Sequence, residues 1–166
     1  MINFKKLGLL EIIVFFSAFY VVTTLTWTVS TRSAVEEKAN LIKSNHNEIV
    51  KFINDQINRC DKGNDQSITI WGELCKDAWS SHKIIKYIND NLNLKNPYSK
   101  SKNIAKSAQD PRLQAEGKAG QSIEMGVIFL SSRNFDSDPG SEWVIGTCVK
   151  SPCVAAGNNE LTSIYR

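Results

Sequence analysis

Residues 7–29 read LGLLEIIVFFSAFYVVTTLTWTV and contain one charged side chain, Glu11. A helix needs roughly 20 residues to cross a hydrocarbon layer about 30 Å thick, so this run is long enough to span a membrane. Cleaved secretory signals have a shorter apolar region of about 7–15 residues, followed by a small-x-small cleavage site. Residues 30–34, STRSA, match that site poorly. We therefore predict that the run stays in the mature protein as a transmembrane helix.

The charges that flank the run predict its orientation. Lys5 and Lys6 precede it, and no basic cluster follows it immediately. Because basic residues are retained on the cytoplasmic side, the N-terminus is predicted to lie in the cytoplasm and the remainder of the chain outside it.

Glu11 is costly in a spanning helix, by about 2.5–3.5 kcal/mol on insertion scales, and such a residue indicates a function with a partner. One interpretation places its carboxylate close enough to the interface to reach water. The other pairs it, in an assembly of identical helices, with the free α-amino group of a neighbouring subunit whose short leader has been removed.

Composition limits the rest of the chain to one domain with a modest core. The 166 residues carry a formal net charge of +3, too small a basic excess for a nucleic-acid surface across the whole domain. All four cysteines follow the apolar run, which predicts two disulfides in an exported domain. Three pairings are possible, and the local one, Cys60–Cys75 with Cys148–Cys153, is the most economical. No CxxC pair occurs and there are only two histidines, so we predict no metal site.

The helical pattern continues well beyond the apolar run. Neither Pro nor Gly occurs between Leu9 and Cys60, which predicts one helix of about 50 residues. Its second half is amphipathic and is expected to pack beneath a soluble head. His46 lies on the apolar stripe and is predicted to be a packed histidine, not a ligand. The stripe consists of Val35, Ala39, Ile42, His46, Ile49, Ile53 and Ile57.

The remaining residues predict an α+β head. Residues 61–65 form a turn, 67–71 a short strand, 73–94 a helix, and 95–120 a loop-rich connection. Residues 122–130, 142–149 and 161–165 are predicted to form a three-stranded antiparallel sheet on the long helix, with 133–141 as a turn. Four lysines of the connection are interpreted as a solvated face in preference to a polyanion-binding patch: Lys95, Lys100, Lys102 and Lys106.

The sequence contains no recognisable catalytic motif. It contains no GxSxG, HExxH, P-loop or GxGxxG motif. Asp136, Asp138 and Glu142 offer oxygen ligands, but their spacing does not match the EF-hand loop for calcium. Three tryptophans, Trp71, Trp79 and Trp143, are interpreted as packing residues. We predict a non-enzymatic protein without a cofactor.

Taken together, these features resemble type IV pilins and the pseudopilins of type II secretion. The resemblance is carried by the leader that ends in Lys5-Lys6-Leu7-Gly8, by Glu11, by the helix to about Cys60, and by the Cys148/Cys153 pair. It covers the first 60 residues in pattern and the head in architecture only.

The resemblance implies a pilin-like fold and a defined processing route. A prepilin peptidase would cut between Gly8 and Leu9, and the new N-terminus would be methylated. The inner-membrane assembly machinery would then move the single-pass subunit from the inner membrane into an extracellular homo-oligomeric filament with a core of apolar helices. Glu11 would pair with the N-terminal amine of a neighbour.

The implied organisation is a leader at 1–8, a transmembrane and assembly helix at 9–30, an amphipathic extension at 31–60 and a head at 61–166. Two features depart from the family pattern. Glu11 is the third residue after the cut, where the family has the fifth, and a cut after Lys6 would restore the spacing but displace Gly8. The family's helix-bending proline has no counterpart in residues 9–33.

We therefore predict a structural subunit of a pilus-like filament. The alternatives are a minor pseudopilin, and a single-pass membrane-anchored periplasmic binding or sensor domain with an uncut leader. Adhesion, motility, DNA uptake and secretion are all compatible with such a subunit, as is contact with DNA or a surface.

Overall fold

The computed structural model describes residues 8–62, 69–71, 73–101, 103–120, 122–135 and 138–166. The chain divides into two compact units, Met1–Glu37 and Lys38–Arg166, and each is described by itself. The predicted turn at 61–65 lies largely outside the described residues, as do Lys5, Lys6, Lys102 and Asp136.

Helix α1 spans Leu9–Lys62 without interruption, in agreement with the predicted long helix. In the first unit its large apolar side chains, from Ile13 to Val29, are exposed. The hydroxyls of Ser17 and of all five threonines in residues 9–31 donate to backbone carbonyls three or four residues earlier. Because these hydroxyls are satisfied within the helix, they are compatible with apolar surroundings.

The second unit, which is called the head below, begins on the same helix and continues through short elements. Strands β1 (Thr69–Ile70) and β2 (Glu73–Leu74) pair with each other, and a 3-10 turn at Cys75–Asp77 leads to α2 (Ser81–Asn91). Strand β3 (Ala105–Ser107), α3 (Pro111–Ala115), β4 (Ile128–Phe135), β5 (Asp138–Cys148) and β6 (Asn159–Tyr165) follow. The last four strands form one sheet in the order β3-β4-β5-β6.

The core lies between α1 and one face of this sheet. Ile49 and Ile53 of α1 are fully buried and belong to the same cluster as Leu130, Trp143 and Ile145 of the sheet. In the antiparallel register Leu130 lies opposite Ile145, so the two side chains share a face. Helix α3 packs on the opposite face, chiefly against β5. The predicted packing of the sheet on the amphipathic half of α1 is confirmed, although Val35 is 40% exposed.

The predicted helix at 73–94 is wrong at its start, because the structure has β2 and a 3-10 turn before α2 begins at Ser81. Cys75 is bonded to Cys60, and the indole nitrogen of Trp71 donates to the carbonyl of Ala78 at 2.6 Å. These tertiary contacts hold residues 75–78 out of the helix despite their helical pattern.

The predicted three-stranded antiparallel sheet is also incomplete. Strand β3 lies within the predicted loop at 95–120 and pairs parallel to β4, so the sheet is four-stranded and mixed. Gly126 has φ of +74°, and a Cβ there would come 2.7 Å from Ile42, so the chain turns here and β4 starts at Ile128 instead of residue 122. The predicted turn at 133–141 is shorter, because 133–135 and 138–141 belong to strands.

Candidate assembly site

The first half of α1 is the predicted assembly segment, and its side chains from Ile13 to Val29 are exposed. It contains a window of 18 residues that is long and apolar enough to cross a membrane, and none of that window is buried. Phe16, Tyr20 and Trp27 are 62%, 69% and 74% exposed. By its length and composition the helix could cross a membrane, and signal sequences near an N-terminus share this pattern.

Glu11 has a partner within its own chain. The backbone N–H of Gly8 donates to Oε2 of Glu11 at 3.0 Å, and the N–H of Ile12 donates to the carbonyl of Gly8. Gly8 is thus the residue that caps α1, and Glu11 closes half of a capping box from the third helical position. A carboxylate also stabilises the positive end of the helix dipole. This contact was not predictable from the capping-box pattern, because glycine at the cap has no side chain that would indicate it.

The predicted cleavage position coincides with the start of this helix. Gly8 precedes α1 and Leu9 is its first residue, so the Gly8–Leu9 bond joins the cap to the helix. Loss of residues 1–8 removes the Gly8 N–H group, which donates a hydrogen bond to the carboxylate of Glu11. It also creates a new α-amino group only two residues before Glu11.

All four cysteines form disulfides in the local pairing. Cys60–Cys75 has a Cα–Cα distance of 5.7 Å and joins the end of α1 to the segment before α2. Cys148–Cys153 has a Cα–Cα distance of 5.3 Å and closes the connection between β5 and β6. Both bonds lie in the second unit and stabilise the head, and neither lies in the apolar segment.

Of the residues considered for calcium, Asp136 lies outside the described residues, and the structure describes the side chain of Glu142. Glu142 is 3% exposed and lies between two arginines, 3.7 Å from Arg112 and 4.0 Å from Arg133. Among the residues that the structure describes, no group of three His, Cys, Asp or Glu side chains could hold a metal ion. Lys106 of the predicted lysine face is bound to both oxygens of Glu124, at 2.7 and 2.8 Å.

His46 and three of the tryptophans, Trp71, Trp79 and Trp143, are packing residues. Trp71 contacts Trp79 and Trp143 edge to face, with ring centroids 5.9 Å apart in both pairs. His46 is 1% exposed between α1 and the sheet, with its ring nitrogens 3.0 Å from Thr147 Oγ1 and 2.9 Å from Thr162 Oγ1. Burial lowers the pKa of His46 to about 4, and the carboxylate of Glu160 opposes that shift.

No known protein family, curated protein or solved structure matches the chain.

Proposed function

We propose that this chain is a structural subunit of a type IV pilus-like filament, assembled through the apolar first half of α1. The supporting observation is the unburied apolar surface from Ile13 to Val29. A surface of this size is unfavourable in water and needs a cover. Lipid supplies that cover before assembly, and the same helices of neighbouring subunits supply it afterwards.

Glu11 gives such an assembly its register. While Gly8 is present, the carboxylate of Glu11 is engaged by the Gly8 N–H. Cleavage after Gly8 removes this donor, and an apolar filament core then favours pairing of Glu11 with the α-amino group of a neighbour. An unpaired carboxylate would be strongly unfavourable there, which selects the subunit offset that pairs it.

The head would form the outer surface of the filament. It holds both disulfides, and disulfides persist in compartments outside the cytoplasm. The amphipathic half of α1 contributes its core, so each subunit carries a complete folded head into the assembly.

Intact mass and N-terminal sequencing of the chain from its native membrane test this proposal. We expect an N-terminus at Leu9, with the methyl group visible in the mass. A retained Met1 would overturn both cleavage and the proposed pairing. An N-terminus downstream of residue 29 would identify the apolar run as a removed signal sequence.

Sheared surface fibres provide a second test. A filament subunit is present in the sheared fraction, and a minor pseudopilin that does not build long fibres stays with the cells. The chain should therefore be detected in fibres purified from the cell surface.

The contact between Gly8 and Glu11 also favours a second candidate, a single-pass membrane-anchored domain with an uncut leader. In that protein Glu11 is only a helix cap, and its hydrogen bond to the Gly8 N–H is its full role. A retained leader on a protein that remains in the membrane fraction would support this candidate.

A further inference from the structure

The head carries a groove on the face of the sheet opposite α1. Strand β3 is parallel to β4, so the chain must cross over between them, and α3 lies on that crossover. Gly146 of β5 has no side chain, and Pro111 and Ala115 of α3 lie directly over it. Beside α3, Phe129 and Ser131 of β4 are buried, and the exposed Lys106 of β3 and Arg133 of β4 lie at the opening of the groove.

The groove has the size of a ligand site. Its volume is about 780 Å³, within the range of about 300–1,000 Å³ that is usual for small-molecule pockets. Lys106, Phe129 and Arg133 from the two strands form one side, and Leu113 and Gln114 of α3 form the other. Ala119, Ser122 and Glu124 close it from the segment that follows α3.

The groove contains equal numbers of positive and negative side chains, and each of them already has a partner in the protein. Two cations and two carboxylates line it: Lys106, Arg133, Asp110 and Glu124. Lys106 is bound to Glu124, and Arg133 faces the buried Glu142 at 4.0 Å. The Asp110 carboxylate accepts the Arg112 N–H at 2.9 Å. A polyanion therefore finds no net positive potential in this groove.

The groups that remain for a ligand are uncharged. Gln109, Gln114, Ser107 and Ser122 line the groove, and their side chains make no hydrogen bond within the described residues. Amide and hydroxyl groups both donate and accept hydrogen bonds. Leu113 is 43% exposed and supplies the apolar surface of the lining, whereas Phe129 is only 6% exposed. The groove thus combines two-way hydrogen-bonding groups with a limited apolar surface.

An added peptide strand does not fit this edge of the sheet. The side chain of Asn89 already accepts from the N–H groups of Ile104 and Ala105 and donates to the carbonyl of Ala105, each at 3.0 Å. These bonds occupy the backbone at the start of β3 that strand addition would use.

We propose that the groove binds an uncharged carbohydrate, as a short oligosaccharide. Sugar hydroxyls donate and accept hydrogen bonds, as the amides and hydroxyls of the four uncharged side chains do, and the C–H face of a sugar ring can pack on the exposed Leu113. The matched charges disfavour sulfated, sialylated and uronic glycans relative to neutral ones.

A glycan array probed with the fluorescently labelled full chain tests the proposal. The chain is kept in a zwitterionic detergent, because maltoside and glucoside detergents carry neutral sugars that would compete. The expected result is binding to a set of neutral oligosaccharides, with no preference for their acidic derivatives. The assay uses unassembled chain, so its outcome is independent of filament formation.

Variants place the binding in the groove. Gln109→Ala with Gln114→Ala removes two amides and should weaken binding about tenfold. Ser122→Trp places an indole in the groove from an exposed position and should abolish binding. Asn93→Ala removes an exposed amide elsewhere on the head and is the matched control that should bind normally. Thermal unfolding of each variant checks that the head is folded.

Three results would overturn the proposal. They are binding of acidic glycans only, binding of no glycan on the array, and neutral-glycan binding that survives both groove variants in folded protein.

Discussion

His46 links the stability of the head to pH. Its ring is buried between Thr147 and Thr162, where the neutral form is favoured and burial lowers the pKa from 6.5 to about 4. Below pH 6.5 the unfolded chain takes up a proton that the folded chain does not, so the folded state loses stability as pH falls from about 6.5 to 4. The total loss across this window is about 3 kcal/mol.

We expect the free energy of unfolding to decrease by about 1 kcal/mol between pH 7.5 and 5.5, a range in which ordinary carboxylates stay ionised. Denaturant unfolding of the full chain in detergent at the two pH values measures this. His46→Gln should be less stable at pH 7.5 but should lose the pH dependence. His82→Gln, at the exposed second histidine, should retain it. An unchanged pH dependence in His46→Gln would assign the effect to other groups.

Gly146 is required because α3 lies directly against β5. A Cβ at this position would overlap the carbonyl of Pro111 and lie 3.2 Å from the Cβ of Ala115. Gly146→Ala must therefore move α3 away from the sheet, and we expect a loss of about 1–3 kcal/mol. Ser163→Ala on the neighbouring strand β6, which adds no atoms, should cost much less. Thermal unfolding compares the two, and equal midpoints would show that α3 shifts without cost.

At the scale of elements, the two disulfides should contribute unequally. They close loops with sequence separations of 15 and 5 residues. In the chain-entropy model these loops are worth about 3 and about 2 kcal/mol. Cys60→Ala with Cys75→Ala should therefore lower the unfolding free energy more than Cys148→Ala with Cys153→Ala, as measured by denaturant unfolding. The reverse order would show that packing around the buried Cys148–Cys153 bond outweighs loop entropy.

Elements with local signals were predictable from the sequence, and elements set by distant contacts were not. Helix α1 follows from the absence of Pro and Gly, and its buried stripe from the spacing of Ile42, Ile49 and Ile53. Strand β3 has three residues and a parallel partner more than 20 residues away, so no local period reveals it. The head groove depends on β3 and α3, and it was unpredictable for the same reason.

The candidate assembly site shows the same division. Glu11 was identified from its charge in an apolar run, because a charge there is conspicuous. Its hydrogen bond to Gly8 was overlooked, because glycine at the cap has no side chain to indicate a capping box. The local pairing of cysteines was the most economical of three, and short loop closure is what the structure shows.

At the scale of the whole molecule, the two units have opposite relations to solvent. The head encloses a core in which Ile49, Ile53 and Trp143 are fully buried, and it is stabilised by its own disulfides. The first unit has large apolar side chains on its surface throughout residues 13–29. Exposed apolar surface of this extent is unfavourable in water, so the first unit is the part of the chain for which the proposed assembly supplies a cover.

The two roles open to Glu11 are separable by substitution, because glutamine and alanine remove different properties. Glutamine at the third helical position still accepts the Gly8 N–H, so Glu11→Gln keeps the cap and loses only the charge. Glu11→Ala loses both. If Glu11 pairs with the amine of a neighbouring subunit, both variants should insert into the membrane, and at lower cost than the native chain. Both should then reduce the yield of sheared fibres by more than about tenfold, since each leaves an amine unpaired in an apolar core.

Glu37→Gln, outside the apolar run, is the matched control. Normal fibre yield from Glu11→Gln with a defect in Glu11→Ala would assign Glu11 to helix capping alone.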